Sequence, residues 1–469
     1  MIANAAGPVT RTPTALLPRL ERMWELSAAK IRALDDTWDP AQGAPVSTVD
    51  GRYHTRGWTQ WTEGFQYGSA LLQFDATGDQ AFLDRGRAHT LERMAPHVTH
   101  TGVHDHGFNN VSTYGTLWRL AREARFDASP WERHVYQLAL RASGAVQAHR
   151  WTPLPASTPA PARARGYIHS FNGAHSLFVD TIRSLRALAL AHRLGQHLLG
   201  EQDASIDLLD RLLQHARATA EYSVYYGRGR DRYDVRGRVA HECMFNVASG
   251  AYRGPSTQQG YSPFTTWTRG LAWAMLGFAE LLEFLDTIVD NALVPYGGRE
   301  DIDQWMLEAA CATCDFYIDA ATARDGIPYW DTGAPGLLAL GDWRSRAADP
   351  FNDHEPVDSS AAAIAAQGLL RLAQVMAARG RDGTRYHAAG LRVLEVLLDE
   401  PYLSTVPTHQ GLLLHAIYHR PNGWDHVPEG ARIPRGESCM WGDYHLRELA
   451  LYVQRLAKGG PYLTFFGAS

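Results

Sequence analysis

Apolar residues recur at three- and four-residue steps along most of this chain, and each such stretch predicts an amphipathic helix. In residues 14–36 the stripe is Leu16, Leu20, Met23, Trp24, Ile31 and Leu34. In residues 166–192, GYIHSFNGAHSLFVDTIRSLRALALAH, it is Leu177, Phe178, Ile182, Leu185 and Ala189, with Asn172 or Ser176 as the candidate cap. Further helices are predicted over 79–97, 108–124, 131–149, 205–225, 264–285, 302–321, 359–378, 385–398 and 441–456. Strand signals are few, short pieces around 239–247 at most, so the predicted class is all-α. The Pro/Ala-rich stretch 152–166 predicts a loop, read as an insertion rather than a linker.

Six stretches place a carboxylate or an aromatic-polar cluster at a helix start. They are WTEGF (61–65), HDHGF (104–108), the Asp180 stretch, WTRGLAW (267–273), DSSA (358–361) and WGDY (441–444). Their spacing is one helical hairpin or somewhat more, the signature of a repeated unit. If every second helix opens on such a cluster, those helices are parallel and their N-termini meet at one end. The expectation is an (α/α)6 barrel of six helical hairpins, forming a single catalytic domain over residues 1–469. Helix N-termini gathered at one mouth favour an anionic ligand. Asp180 itself is either an N-terminal cap that complements the helix dipole or a chemical group.

Composition narrows the function classes. A formal charge of −5 over 469 residues argues against nucleic acid, and no basic amphipathic helix points to a membrane surface. No apolar run is expected to span a bilayer, and residues 1–23 lack a signal-peptide pattern, so a soluble, cytoplasmic protein is expected. Four cysteines in this length form no disulfide framework. Cys311 and Cys314 fall on one face of a predicted helix and read as core. No metal or other cofactor is expected, and nothing in the sequence specifies an oligomeric state.

Taken together, HDHGF, GYIHSF with FVDTIRSL, TQQGYSPFTTWTRGLAW, IPYWDTGAP, DSSAAAIAAQGLL and CMWGDY resemble the unsaturated glucuronyl hydrolases, glycoside hydrolase family 88. Family 105, which acts on unsaturated rhamnogalacturonan fragments, shares the barrel, but WTRGLAW and DSSAAAIAAQG sit closer to family 88. The resemblance implies a substrate: an oligosaccharide left by a polysaccharide lyase, with a 4,5-unsaturated uronic acid at its non-reducing end. It also implies a reaction in which a proton goes to C4 and water adds at C5. The hemiketal so formed opens and releases the next sugar. One Asp serves as acid and then as base, so its carboxyl is expected to be raised by an apolar pocket or a neighbouring carboxylate.

Position by position, the resemblance makes Asp180 the acid/base and Asp105 the second essential carboxylate. It makes Gln259, Arg269 and Trp273 the groups that hold the uronate and His241 a substrate-binding group for a hydroxyl or the attacking water, with Trp61 of the first cluster beside them. Arg269 suits a carboxylate and Trp273 a sugar face. Gln258, Leu271 and the run Thr181, Ile182, Arg183 depart from the family pattern, which bears on the leaving sugar. The insertions 152–165, 227–238 and 337–355 are expected to shape that side, and the arginines of 227–238 either face solvent or meet an acidic sugar. The competing readings are an inverting glycosidase using Asp105 with Asp180 or Asp358, an epimerase working through paired histidines, and a non-catalytic carbohydrate-binding barrel.

Overall fold

Leu20, Met23, Trp24, Ile31 and Leu34 form one buried stripe, and in the computed structural model they lie on helix α1 (Leu17–Thr37). The structure describes residues 11–57, 60–155 and 164–467; the first ten residues of the stretch read for a signal peptide, positions 58–59, the middle of the 152–166 loop and the last two residues lie outside them. Five more helices share the outer character of α1. They are α3 (Gln80–Arg93), α6 (Pro130–His149), α9 (Leu208–Ala218), α11 (Gly298–Phe316) and α13 (Thr384–Leu397).

The inner ring is made of the helices that follow the six clusters. They are α2 (Glu63–Thr77), α4 with α5 (His106–Asn109, Thr116–Arg122), α7 with α8 (Thr181–Ser184, Arg186–Arg193), α10 (Thr268–Leu285), α12 (Ser359–Ala378) and α14 (Met440–Lys458). A single π turn, Val111–Gly115, joins α4 to α5. Each inner helix packs on the next and α14 closes on α2, while the outer helices pack against the ring. The expected (α/α)6 barrel is therefore the observed one, with a main hydrophobic core running from Leu16 to Phe466 and a smaller cluster around Tyr167, Tyr222 and Phe245.

Inner helices are surrounded by protein on all sides, so their apolar character is nearly continuous. That explains α12, which by length and composition alone could cross a bilayer, contrary to the sequence expectation, yet is 78% buried inside the barrel. Deeper in the ring lies a layer of buried charge. Arg183 pairs with Glu280 and, at 2.9 Å, with Glu448, and Arg186 lies 3.5 Å from the same Glu448. Arg183 therefore belongs to the barrel interior and not to the leaving-sugar side.

Short strands are more numerous than the sequence predicts. Three hairpins form from β1 (Ser47–Val49) and β2 (Arg52–His54), β3 (Trp151–Pro153) and β4 (Gly166–Ile168), and β6 (His197–Leu199) and β7 (Ser205–Asp207). A three-stranded sheet has the order β5 (Ser176–Phe178), β8 (Glu242–Phe245), β9 (Tyr252–Ser256). This corrects the helix predicted through Leu177 and Phe178. Those residues pair with Cys243 and Glu242 across β8, a partner outside any local window, and the helix starts only at Thr181. Neither Asn172 nor Ser176 caps it; both bond to the Glu242 carboxylate. Cys314 is buried, Cys311 half-buried, and both are free.

Candidate active site

Three aspartates occupy N-cap positions of inner helices: Asp105 before α4, Asp180 before α7 and Asp358 before α12. Only Asp358 caps. Its Oδ1 accepts from the backbone N–H groups of Ser360 and Ala361, at 3.1 and 3.3 Å. Asp105 and Asp180 make no cap hydrogen bond, which removes the capping explanation for Asp180. Both carboxylates open instead onto a cleft of about 390 Å³ at the mouth of the barrel.

The two meet at one imidazole. His104 Nε2 lies 3.1 Å from Asp180 Oδ1, a hydrogen bond, and 3.4 Å from Asp105 Oδ1. The close approach of α4 and α7 makes this possible. A Cβ on Gly107 would sit 2.6 Å from Ser184 Cα, so only glycine fits there. The Gly107 N–H also donates to Ser184 Oγ at 2.8 Å.

Electrostatics separate the pair. Burial, with the neighbouring Asp180 charge, pushes the Asp105 carboxyl up to about 6. Burial pushes Asp180 up as well, but the His104 hydrogen bond and the positive charges of His104 and Arg269 outweigh it and hold Asp180 below the usual range. Burial lowers the His104 imidazole, and the two carboxylates more than restore it, so it titrates above an ordinary histidine. The expectation of a raised Asp180 is thus corrected: Asp180 is ionised beside His104, and the readily held proton is on Asp105 and His104.

Arg269 is placed differently from the expected open guanidinium. Its Nη1 donates to Asp358 Oδ2 at 2.9 Å and to the Ile417 carbonyl; its Nη2 donates to Gln259 Oε1 and the Tyr418 carbonyl, both at 2.7 Å. The fork is spent on the protein, and Arg269 acts on the cleft through its charge and by fixing the Gln259 amide. Asp358, wholly buried and bound to Arg269, is closed to the role of a second catalytic carboxylate.

His241 lies just behind the cleft wall, its ring 4.6 Å from those of Phe178 and Trp267. Burial pushes its pKa down to about 4 against the pull of Asp180. Its Nδ1 accepts from the Gln258 N–H at 3.1 Å, so the neutral ring carries its proton on Nε2, which is buried without a hydrogen-bond partner. Trp273 reaches the cleft only as floor, 2% exposed, its ring 4.8 Å from Phe108. Trp61 stands more open, stacked on Trp441 at 5.0 Å.

The structure adds residues that sequence reasoning missed. His104 precedes Asp105 in HDHGF and was legible there as a neighbouring titratable group. Phe171 supplies a 38% exposed ring stacked on His104 at 5.9 Å. Tyr418, His419 and Trp424 form one wall from an irregular segment whose only signal is its aromatic, Gly/Pro-punctuated composition. The insertions 152–165, 227–238 and 337–355 contribute no described residue to the lining. Arg228 pairs instead with Glu308, Arg236 with Asp315 at 2.8 Å, and Arg230 and Arg238 stack on Tyr225.

An (α/α)6 barrel with paired aspartates in an aromatic cleft has the build of a glycoside hydrolase. No protein-family model matches the chain. It is similar to the unsaturated glucuronyl hydrolase of Bacillus sp. (strain GL1), 25% identical over 420 residues that cover 89% of this chain and 92% of the relative. It is 23% identical to the unsaturated chondroitin disaccharide hydrolase of Streptococcus pyogenes serotype M1, over 86% of this chain and 84% of that one. Among solved structures, an unsaturated glucuronyl hydrolase specific for heparin superposes with a TM-score of 0.70 at 19% identity, over 94% of this chain and 98% of the other. A variant of such an enzyme with dGlcA-Glc-Rha-Glc gives 0.68 at 20% identity, over 95% and 97%. The resemblance drawn from the motifs thus extends over nearly the whole chain.

Proposed function

We propose that this protein is an unsaturated uronyl hydrolase. It removes the 4,5-unsaturated uronic acid from the non-reducing end of lyase-generated oligosaccharides by hydrating the C4=C5 vinyl ether. The observation that carries the reading is the pair of aspartates that stand at helix N-caps without capping and face one imidazole nitrogen.

Asp180 is the acid/base. It is ionised beside His104, and the carboxylate of an arriving uronate disfavours a second negative charge next to it, so Asp180 takes up a proton. It delivers that proton to C4 and, ionised again, accepts one from the water that adds to C5. The resulting C5 hemiketal opens to a ketone, and the hemiacetal left at C1 collapses to release the leaving sugar. Asp105, protonated under mildly acidic conditions, keeps a second proton within reach of the same His104 nitrogen. Trp61, Phe171, Tyr418 and Trp424 offer apolar faces to sugar rings.

The inverting-glycosidase alternative fits less well. Both carboxylates lie within 3.4 Å of one nitrogen, so their nearer oxygens stand no farther apart than the lower end of the roughly 6.5–9.5 Å that such a pair keeps for its water. The deciding experiment follows the double-bond absorbance across a panel of lyase-generated oligosaccharides and their saturated counterparts. Loss of absorbance with release of free sugar, confined to the unsaturated set, is expected. Cleavage of saturated glycosides at a comparable rate overturns the reading.

A further inference from the structure

The rim of the cleft between Gln259 and Trp267 carries aromatic rings that the fold leaves uncovered. Tyr261, Phe264 and Tyr233, the last from the 227–238 insertion, are each at least 40% exposed. Tyr233 stacks on Phe264, with ring centroids 4.4 Å apart and planes inclined by 22°. Gln259 and Trp267 line the cleft, Tyr261 is two residues from the first and Phe264 three from the second. Three residues of chain span at most about 11 Å, so both backbones stand within that distance of the cleft wall.

These rings are braced from both sides. The Asp234 carboxylate accepts from the backbone N–H groups of Gly227, Arg228 and Arg230 at 2.8, 2.9 and 2.8 Å, and Asp231 Oδ1 accepts from that of Tyr233 at 2.7 Å. Arg228 and Arg236 fasten the same loop to Glu308 and Asp315 of α11. Across the stack, Asp331 Oδ2 accepts from the Tyr261 N–H at 2.9 Å, and Arg238 Nη1 donates to the carbonyls of Pro263 and Thr265, each at 3.4 Å. Arg238 thus ties the insertion to the segment that carries Phe264. Rings fixed in this way cost little ordering when a ligand lands on them.

We propose that Tyr233, Phe264 and Tyr261 form a distal saccharide platform, which holds the sugars beyond the leaving one when the substrate is longer than a disaccharide. Such a platform rests on the hydrolase reading, since it takes the far end of that substrate. A cleft of about 390 Å³ lies at the low end of the roughly 300–1,000 Å³ found for small-ligand pockets. A tetrasaccharide seated by its unsaturated end therefore runs out over the rim. Arg228, Arg230, Arg236 and Arg238 are engaged within the protein, which leaves the Tyr233 ring, and not those guanidiniums, as what the insertion offers to a sugar. Ring faces accept pyranose faces of many kinds, so the platform selects for length more than for sugar identity.

The test uses the unsaturated disaccharides and tetrasaccharides that lyases release from hyaluronan and from unsulfated chondroitin. They are compared in the parent, in Tyr233→Ala, in Phe264→Ala and in the double variant. The parent should show a lower KM for the tetrasaccharide than for the disaccharide in at least one series. In the double variant the tetrasaccharide KM should rise by about two- to tenfold, the range that one aromatic contact is worth, while disaccharide kinetics and the melting temperature stay near those of the parent. Calorimetry of the same sugars on Asp180→Asn, with and without the two alanines, reads the length dependence without turnover. No turnover of either disaccharide by the parent counts against the hydrolase reading, and the calorimetry still decides on the platform. No tetrasaccharide advantage in either series, an advantage that survives the double variant, or an equal loss on the disaccharide overturns the proposal.

Discussion

Asp358 holds Arg269 by a 2.9 Å ion pair in which both side chains are at most 2% exposed, so the strongest cation at the cleft is also a structural member of the barrel. Arg269→Lys keeps the charge but cannot reach Asp358, Gln259 and two carbonyls at once. We expect a lower melting temperature together with a higher KM, because a buried carboxylate is left short of partners; complete loss of a partner costs about 3–5 kcal/mol. Thermal unfolding and steady-state kinetics on the same samples check this. An unchanged melting temperature would remove the structural role.

Asp180→Asn should reduce turnover by ~100-fold or more, since the amide neither donates nor accepts the proton, with the unfolding curve nearly unchanged. His104→Gln acts on the same carboxyl from outside. It removes the hydrogen bond and charge that hold Asp180 low and leaves burial to push it up. Because Asp180 must carry a proton to deliver it to C4, the alkaline limb of the pH–rate profile should therefore move to higher pH. A limb that stays where it was detaches His104 from the acid/base.

Asp105 links activity to stability, and the sign is definite. Its folded-state pKa of about 6 exceeds the unfolded value near 3.8, so folding favours the protonated form. The ionised form is penalised, and stability is lost as pH rises through that window. Asp105→Asn escapes the penalty and should be more stable above pH 6, by on the order of 2–3 kcal/mol, while turnover falls. Chemical denaturation at pH 4 and pH 7.5 measures the difference, which should be small at the lower pH.

Gly107→Ala probes the contact that sets the geometry of the pair. The added methyl meets the backbone of Ser184, and the two helix starts must part. Overpacking of this kind costs about 1–3 kcal/mol. Turnover should drop more than stability, because moving Asp105 relative to Asp180 disturbs both. A variant with normal kinetics would show that the aspartates tolerate separation.

The barrel was legible because its inner helices open on six recognisable clusters and its outer helices keep a plain amphipathic stripe. Asp105, Asp180, Gln259 and Trp61 fall at the cleft for the same reason: each sits at or near a helix start or in a motif. What escaped depends on contacts remote in sequence. Leu177 and Phe178 have helical spacing and become a strand only because β8 lies beside them. The helix-start position of Arg269 says nothing of Asp358 or of the carbonyls of Ile417 and Tyr418, which turn an apparent ligand-binding fork into an occupied one. The pKa order of Asp105 and Asp180 was reversed in expectation because His104 donates to one of them and only approaches the other.

Solvent labelling separates hydration from ordinary hydrolysis. Hydration adds solvent at C4 and C5, whereas direct hydrolysis places solvent oxygen on the anomeric carbon or the leaving sugar. In deuterated water one deuteron should appear at C4 of the released uronate. In heavy-oxygen water the label should enter at C5, and the leaving sugar should keep its bridging oxygen. The double bond should vanish no later than free sugar appears, because the leaving sugar departs only after the hemiketal opens. The motivation is that Asp180 is one acid/base beside a proton-holding partner, and Asp358, the other candidate carboxylate, is bound up with Arg269. Label at C1 in a first product that still carries the C4=C5 bond would falsify the hydration route and restore the two-carboxylate mechanism.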